Sequence, residues 1–171
     1  TTTMALVPQM VDALDIPVIA AGGIAVGRGL AAAYMLGAQG VQAGTRFLVA
    51  NECIVAQGYK DAIIKAKDSS TVATGRSTGH PVRIIKNKLA RKILSLEKQN
   101  APEEEINQLC TGTLAAAVRD GDSDNGNIMS GQIAGLVKKE QPAAEIIEEM
   151  FKEVEEIYED RNRICRAGRT V

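Results

Sequence analysis

Apolar residues recur at helical spacing in the first segment, at Leu6, Val7, Met10, Val11 and Leu14, which predicts a helix over 4–14. Pro8 falls early in that helix, where a missing N–H costs little. The pattern then becomes continuous over 16–21 and is stopped by Gly22 and Gly23. An unbroken apolar run predicts a parallel strand covered on both faces. A helix of small residues follows over 27–36, with Gly37 placed as its C-cap. A second short strand over 40–43 is closed by Gly44 and Thr45. Strand, helix, strand is a βαβ unit.

Beyond Thr45 the character changes. The pattern predicts a helix over 59–66, a β-like stretch over 70–74, and a basic helix over 83–98 after Pro81. Pro102 and three glutamates open a further helical region reaching about Arg119, which Gly112 can interrupt. A turn-rich acidic linker spans 120–126. The last amphipathic helix, 142–158, carries Ile146, Ile147, Met150, Phe151, Val154, Ile157 and Tyr158 on one stripe. Two strands alone do not make a stable parallel sheet, since their edges need covering. The predicted class is therefore α/β: residues 1–50 form the end of a larger sheet or barrel, and 51–171 a mainly helical extension packed on it.

Composition adds exclusions. At 45% hydrophobic and 24% charged residues the chain is globular rather than disordered. A net charge of -1 with 3% aromatics argues against nucleic acid, and no apolar run is long enough to span a membrane. Cys53, Cys110 and Cys165 are odd in number and widely spaced, so neither a disulfide framework nor a zinc site is indicated. They read as structural or incidental thiols in a reducing cytoplasm. No metal site is expected.

The candidate chemistry lies at the two glycine-rich strand ends, 20–24 and 42–46. At the ends of consecutive parallel strands, glycines let backbone N–H groups approach a phosphate, helped by a following helix N-terminus. Thr45 can add a hydroxyl donor. Gly27 and Gly29 read more simply as permitting close helix packing. An imidazole is chemically suited to acid catalysis, but His80, beside Pro81, reads better as a histidine bonding the loop backbone than as a catalytic acid. The run Met129-Ser130-Gly131-Gln132 either closes over a planar cofactor or starts a helix with Ser130 as cap. The cations of 83–98 read mainly as a solvated face, with docking of an acidic carrier protein as the other use.

The stretch IPVIAAGGIAVGRGLAAAYMLGAQGVQAGTRFL resembles the flavin-binding end of the nitronate monooxygenase and flavin-dependent enoyl-acyl carrier protein reductase superfamily. The runs ATGRSTGHPVRIIKNKL and NIMSGQIAGLVK resemble more narrowly the flavin-dependent, type II enoyl-acyl carrier protein reductases of bacteria. The resemblance covers 1 to about 158 and implies the last two strands of a (β/α)8 TIM barrel with bound FMN. It implies that Gly22, Gly23, Gln42, Ala43, Gly44 and Thr45 cradle the FMN phosphate, with Met129, Gly131 and Gln132 close to the flavin. Reduction of an enoyl group carried on acyl carrier protein or coenzyme A, with NADH or NADPH, is the implied activity. Nitronate oxidation with O₂ is the alternative, and a non-catalytic fragment or subunit of a split barrel another. A homo-oligomer is expected. The sequence departs from the family pattern at Val26, where an acid is frequent. The family's catalytic histidine and first six strands correspond to sequence upstream of Thr1, so the chain is expected to act only with an N-terminal half supplied.

Overall fold

In the computed structural model, residues 1–167 are described, and they fall into two compact units, 1–43 with the C-terminal helix from Pro142, and 44–141. The division comes at 43/44, whereas the pattern of predicted elements places the boundary at 50/51. The last helix groups with the first unit rather than with the extension.

The first unit holds α1 (Thr3–Ala13), β1 (Ile19–Ala21), α2 (Gly27–Met35), β2 (Gly40–Gln42) and the C-terminal helix, Ala143–Ala167. Strands β1 and β2 pair in parallel, with Ile19 opposite Gly40, Ala20 opposite Val41 and Ala21 opposite Gln42. The βαβ reading therefore holds. Gly37 follows α2 with φ 92°, the left-handed conformation that glycine adopts cheaply. Three details differ from expectation. Pro8 lies in the middle of α1, so the helix continues although this residue can give no bond to the preceding turn. β1 is covered on one face only: Ala20 is buried while Ile19 is exposed. On the C-terminal helix, Ile146, Met150 and Val154 are buried, whereas Ile147 and Phe151 of the expected stripe are exposed.

Helix α2 and the C-terminal helix touch closely because Gly27 has no side chain. A methyl group built on Gly27 would lie 2.5 Å from Glu153 Cβ and closer still to the Met150 carbonyl oxygen. The same contact closes the start of α2. Val26 occupies the N-cap and offers no side-chain oxygen, and the Arg28 N–H donates instead to Glu153 Oε2 at 3.3 Å. A carboxylate from a distant helix thus does the work of a local cap. One backbone N–H at this helix start is thereby satisfied within the protein.

The second unit holds α3 (Thr45–Leu48), α4 (Gln57–Ile64), β3 (Thr71–Thr74), β4 (Val82–Ile85), α5 (Lys88–Lys98), α6 (Glu103–Cys110) and α7 (Thr113–Ala115). β3 and β4 form an antiparallel hairpin. Residues 83–85, expected to open the basic helix, are therefore strand. Asn87 sets the boundary: its Oδ1 accepts the Ala90 N–H at 2.9 Å, capping α5, while its Nδ2 donates to the carbonyls of Ser123 and Gly126. The β-branched residues before it favour the pleated surface. Beyond Gly112, which is left-handed as an interrupter should be, the helix widens to a π turn over Ala116–Asp120. One core cluster of this unit is Ile84, Leu89, Ala90, Ile93 and Ile106, and Ile63, Ile128 and Val137 are fully buried as well. Among the described residues, no helix is long and apolar enough to cross a membrane.

Candidate functional site

Because β1 and β2 run the same way, the residues leaving their C-terminal ends emerge side by side. Ala21 and Gln42 are in register, so Gly22 and Gly23 issue next to Ala43 at one edge of the pair. That edge is where open α/β sheets bind ligands. Gly22 and Gly23 have φ of 91° and 83°, which a residue with a Cβ adopts only under strain. The turn is fixed from outside: the Thr3 hydroxyl donates to the Gly22 carbonyl at 2.8 Å, with a longer contact to that of Ala21. Thr3 was not singled out by sequence, and no local signal marks it, since its partner lies 19 residues away. Space beside Gly23 is open, with no heavy atom within 4 Å of a Cβ built there. The turn is thus held in shape while its surface stays free for a ligand.

Gly44 is likewise open, with nothing within 4 Å of its would-be Cβ. Thr45, which begins α3 in the second unit, accepts the Gly131 N–H on Oγ1 at 2.9 Å. The hydroxyl proton of Thr45 remains to be donated. Two segments 86 residues apart are joined by this bond, which brings the 129–132 run to Thr45. The alternative in which Ser130 caps a helix is not what forms. Gly131 is the N-cap of the 3-10 turn Gln132–Leu136, and the buried Ser130 Oγ has no partner among the described residues. The buried Asn127 Oδ1 is in the same state. Buried polar atoms left unsatisfied cost about 1–3 kcal/mol each, which is tolerated in native proteins chiefly where function needs them.

What holds the 127–131 segment is the hairpin. Ile85 donates to the Ile128 carbonyl and Ser130 to the Arg83 carbonyl, both backbone to backbone. Tyr59 of α4 adds a side-chain anchor, its hydroxyl donating to the Met129 carbonyl at 2.7 Å. Burial pushes the Tyr59 phenol up to about 12, from 10.0. A raised phenol favours the protonated folded state, so its contribution is intact below pH 10 and is lost as pH rises toward 12. Tyr59→Phe is expected to cost about 1 kcal/mol at neutral pH. It should also remove the late-titrating phenolate from an absorbance titration near 295 nm. If all tyrosines titrate at their ordinary value, the anchor is absent.

His80 sits in the β3–β4 loop, exposed, and its imidazole makes no hydrogen bond to a described residue. Neither the loop-bonding role nor a catalytic one is supported there; only its carbonyl matters locally, crowding the left-handed Gly75. Burial raises the Cys110 thiol above its ordinary range, and Glu97 nearby adds to that, in keeping with an inert thiol. Cys53 is half-buried, and the Cys165 side chain lies outside the described residues. Among the described residues no group of three or more His, Cys, Asp or Glu side chains is arranged to hold a metal ion.

The geometry is that of an α/β protein in which two adjacent parallel strands end side by side, the first in a left-handed glycine pair. The chain belongs to the nitronate monooxygenase family, whose model matches residues 1–153. A protein of Staphylococcus saprophyticus described as a probable nitronate monooxygenase is 42% identical over 155 residues, 91% of this chain and 43% of that protein. The solved structure of FabK from Thermotoga maritima superposes with a TM-score of 0.91 at 43% identity, covering 96% of this chain and 52% of that one. A nitroalkane oxidase from Streptomyces ansochromogenes superposes at 0.73 with 31% identity, over 90% of this chain and 44% of that one. The chain thus spans about half the length of the relatives it matches.

Proposed function

We propose that this chain supplies the phosphate-holding end of an FMN-dependent oxidoreductase, a (β/α)8 barrel whose last two strands are β1 and β2. The carrying observation is the in-register pair of strand ends, Ala21 beside Gln42, followed by the left-handed Gly22 and Gly23 with open space at Gly23. FMN, when bound, would supply the hydride chemistry. Gly22, Gly23, Gln42 and Ala43 would hold its phosphate, Gly22 in the turn pinned by Thr3. The resemblance assigns Gly44 and Thr45, next along the chain, to the same phosphate, and Met129, Gly131 and Gln132 to the flavin's vicinity. The substrate is an enoyl thioester on acyl carrier protein or coenzyme A, reduced with NADH or NADPH in the cytoplasm, in a homo-oligomer that includes the N-terminal half of the barrel. The likeness to FabK at 43% identity supports this reading. Nitronate oxidation with O₂ on the same cradle is the second reading, favoured by the family model and by the Staphylococcus relative.

Titration of the purified protein with FMN and with riboflavin tests the cradle. FMN is expected to bind at least tenfold tighter, a margin of about 1.4 kcal/mol for the phosphate. Gly23→Val should erase that margin while leaving riboflavin binding as it was. Equal affinity for the two flavins would refute the phosphate assignment. With flavin bound, NADH or NADPH oxidation driven by crotonyl coenzyme A marks the reductase, and oxygen uptake driven by a nitronate marks the oxidase.

A further inference from the structure

One face of the β3–β4 hairpin and the end of α5 border an open surface hollow of about 650 Å³ that the proposed flavin chemistry does not use. Four cationic side chains line it: Arg76 from the loop, Arg83 from β4, Lys86 just beyond it, and Lys98 at the end of α5. Against these four cations the wall carries a single carboxylate, Glu97, which is bonded to Ser77 of the same wall. Its Oε1 accepts both the Ser77 N–H and the Ser77 hydroxyl at 3.1 Å, fastening the loop to the helix. Among the described residues no ion pair is formed by any of the four cations. By contrast Lys88, two residues beyond Lys86 and off the cavity, is paired with Asp124 at 2.6 Å.

The arrangement is more than an exposed basic patch. Arg83 is half-buried, and its Nη1 donates to the largely buried Thr71 hydroxyl at 3.2 Å across the hairpin. That bond orients the guanidinium and leaves the rest of its donor fork unassigned. A fork held in one orientation suits phosphate oxygens, since less side-chain freedom is lost on binding. Between the cations the wall turns apolar at Val72, Ala73 and Leu94, which suits an uncharged body attached to an anionic head. A volume of this size is that of a small-molecule site. Unneutralised like charges facing one hollow repel one another, and a dianion relieves that repulsion while gaining charge-assisted hydrogen bonds.

We propose that this cavity is a binding site for a small organic phosphomonoester, gripped by Arg83, Lys86, Arg76 and Lys98. The proposal is independent of the flavin assignment. Two common carriers of such a group are a nucleotide with a ribose 2′-phosphate and one with a ribose 3′-phosphate. The probes are adenosine 2′,5′-bisphosphate, adenosine 3′,5′-bisphosphate and adenosine, titrated calorimetrically into the purified protein at low and moderate salt. At least one bisphosphate is expected to bind tenfold or more tighter than adenosine, with affinity falling as salt rises; which isomer binds tells the carrier. Lys86→Gln and Lys98→Gln alter exposed side chains and should keep the native melting temperature while weakening the bisphosphate at least fivefold each. Arg83→Lys keeps the charge but not the fork, and should weaken it as well. Bisphosphates binding no better than adenosine, or binding unchanged in variants that melt normally, would overturn the site. So would a salt-sensitive complex with an acidic carrier protein that the lysine variants abolish while no bisphosphate binds. Flavin content reports separately on the cradle, so failure here and failure there are distinguishable.

Discussion

Gly27→Val is expected to cost roughly 3 kcal/mol, at the upper end of the usual overpacking penalty. Helix propensity alone points the other way for Gly27→Ala, since alanine is up to about 1 kcal/mol better than glycine inside a helix. The overlap decides the sign. A Cβ at Gly27 meets the Met150 backbone and Glu153 Cβ, and backbone cannot swing aside as a side chain can. Valine adds two more methyl groups to the same crowded place and would also displace the Glu153 carboxylate from the Arg28 N–H. Urea unfolding should therefore show a lower midpoint with an unchanged slope. Gly29→Ala is the control: its nearest neighbour would be Ile24 Cγ2 at 3.3 Å, a side-chain atom able to yield by a few tenths of an ångström. Should Gly27→Ala prove as mild as Gly29→Ala, close packing of α2 on the C-terminal helix is wrong.

The second large effect is expected at Lys60, only 5% exposed yet charged. Its Nζ donates to the Ala50 carbonyl at 2.8 Å and faces Glu140 Oε2 at 3.4 Å. Gln57 donates to the other oxygen of Glu140, and Arg46 reaches the Lys139 carbonyl and the Gln141 side chain. Residues 139–141 are thus strapped down by three polar side chains of the second unit, alongside the bridge between Ala50 and Gln141. Lys60→Met keeps the aliphatic stem but strands the Ala50 carbonyl and weakens the strap. A fully buried pair broken in this way costs about 3–5 kcal/mol. Glu140 keeps some water contact, so about 2–3 kcal/mol is expected, read as a drop in unfolding free energy at neutral pH. Glu140→Gln should cost less than Lys60→Met, because the new amide oxygen can still accept from Lys60, which also keeps its bond to the Ala50 carbonyl. The reverse order would mean that the carboxylate, not the ammonium, organises the segment.

Local rules carried the first forty-three residues a long way. An apolar run ended by paired glycines, a small-residue helix and a second run ended by glycine gave the βαβ unit, its parallel sense and the left-handed Gly37. Those features depend on residues near one another in sequence. The resemblance then picked out the family from the same glycine motifs. What failed was also local in kind. Ile85, Leu89, Ile93 and Leu96 keep a helical apolar spacing, so sequence extends the helix back over Arg83, Ile84 and Ile85, which form strand. Asn87 was the available signal: a capping residue four places into the supposed helix marks its true start.

The candidate site was only half legible. Gly22 and Gly23 announce themselves because only glycine takes their φ readily, and that requirement is written in a single residue type. Thr3, Tyr59 and Glu153 do not, because a threonine, a tyrosine or a glutamate acquires its role from a partner brought near by folding. Their partners, Gly22, Met129 and Arg28, lie 19, 70 and 125 residues away. The same holds for the cavity of four cations, which in the sequence is a charged stretch and in the molecule is one wall of a hairpin facing one end of a helix. Sequence determined the backbone conformations that a residue's own sterics dictate, and with them the strand ends. Tertiary structure decided which hydroxyl, carboxylate or ammonium meets which backbone group, because hydrogen bonds act over about 3 Å in space and take no account of distance along the chain.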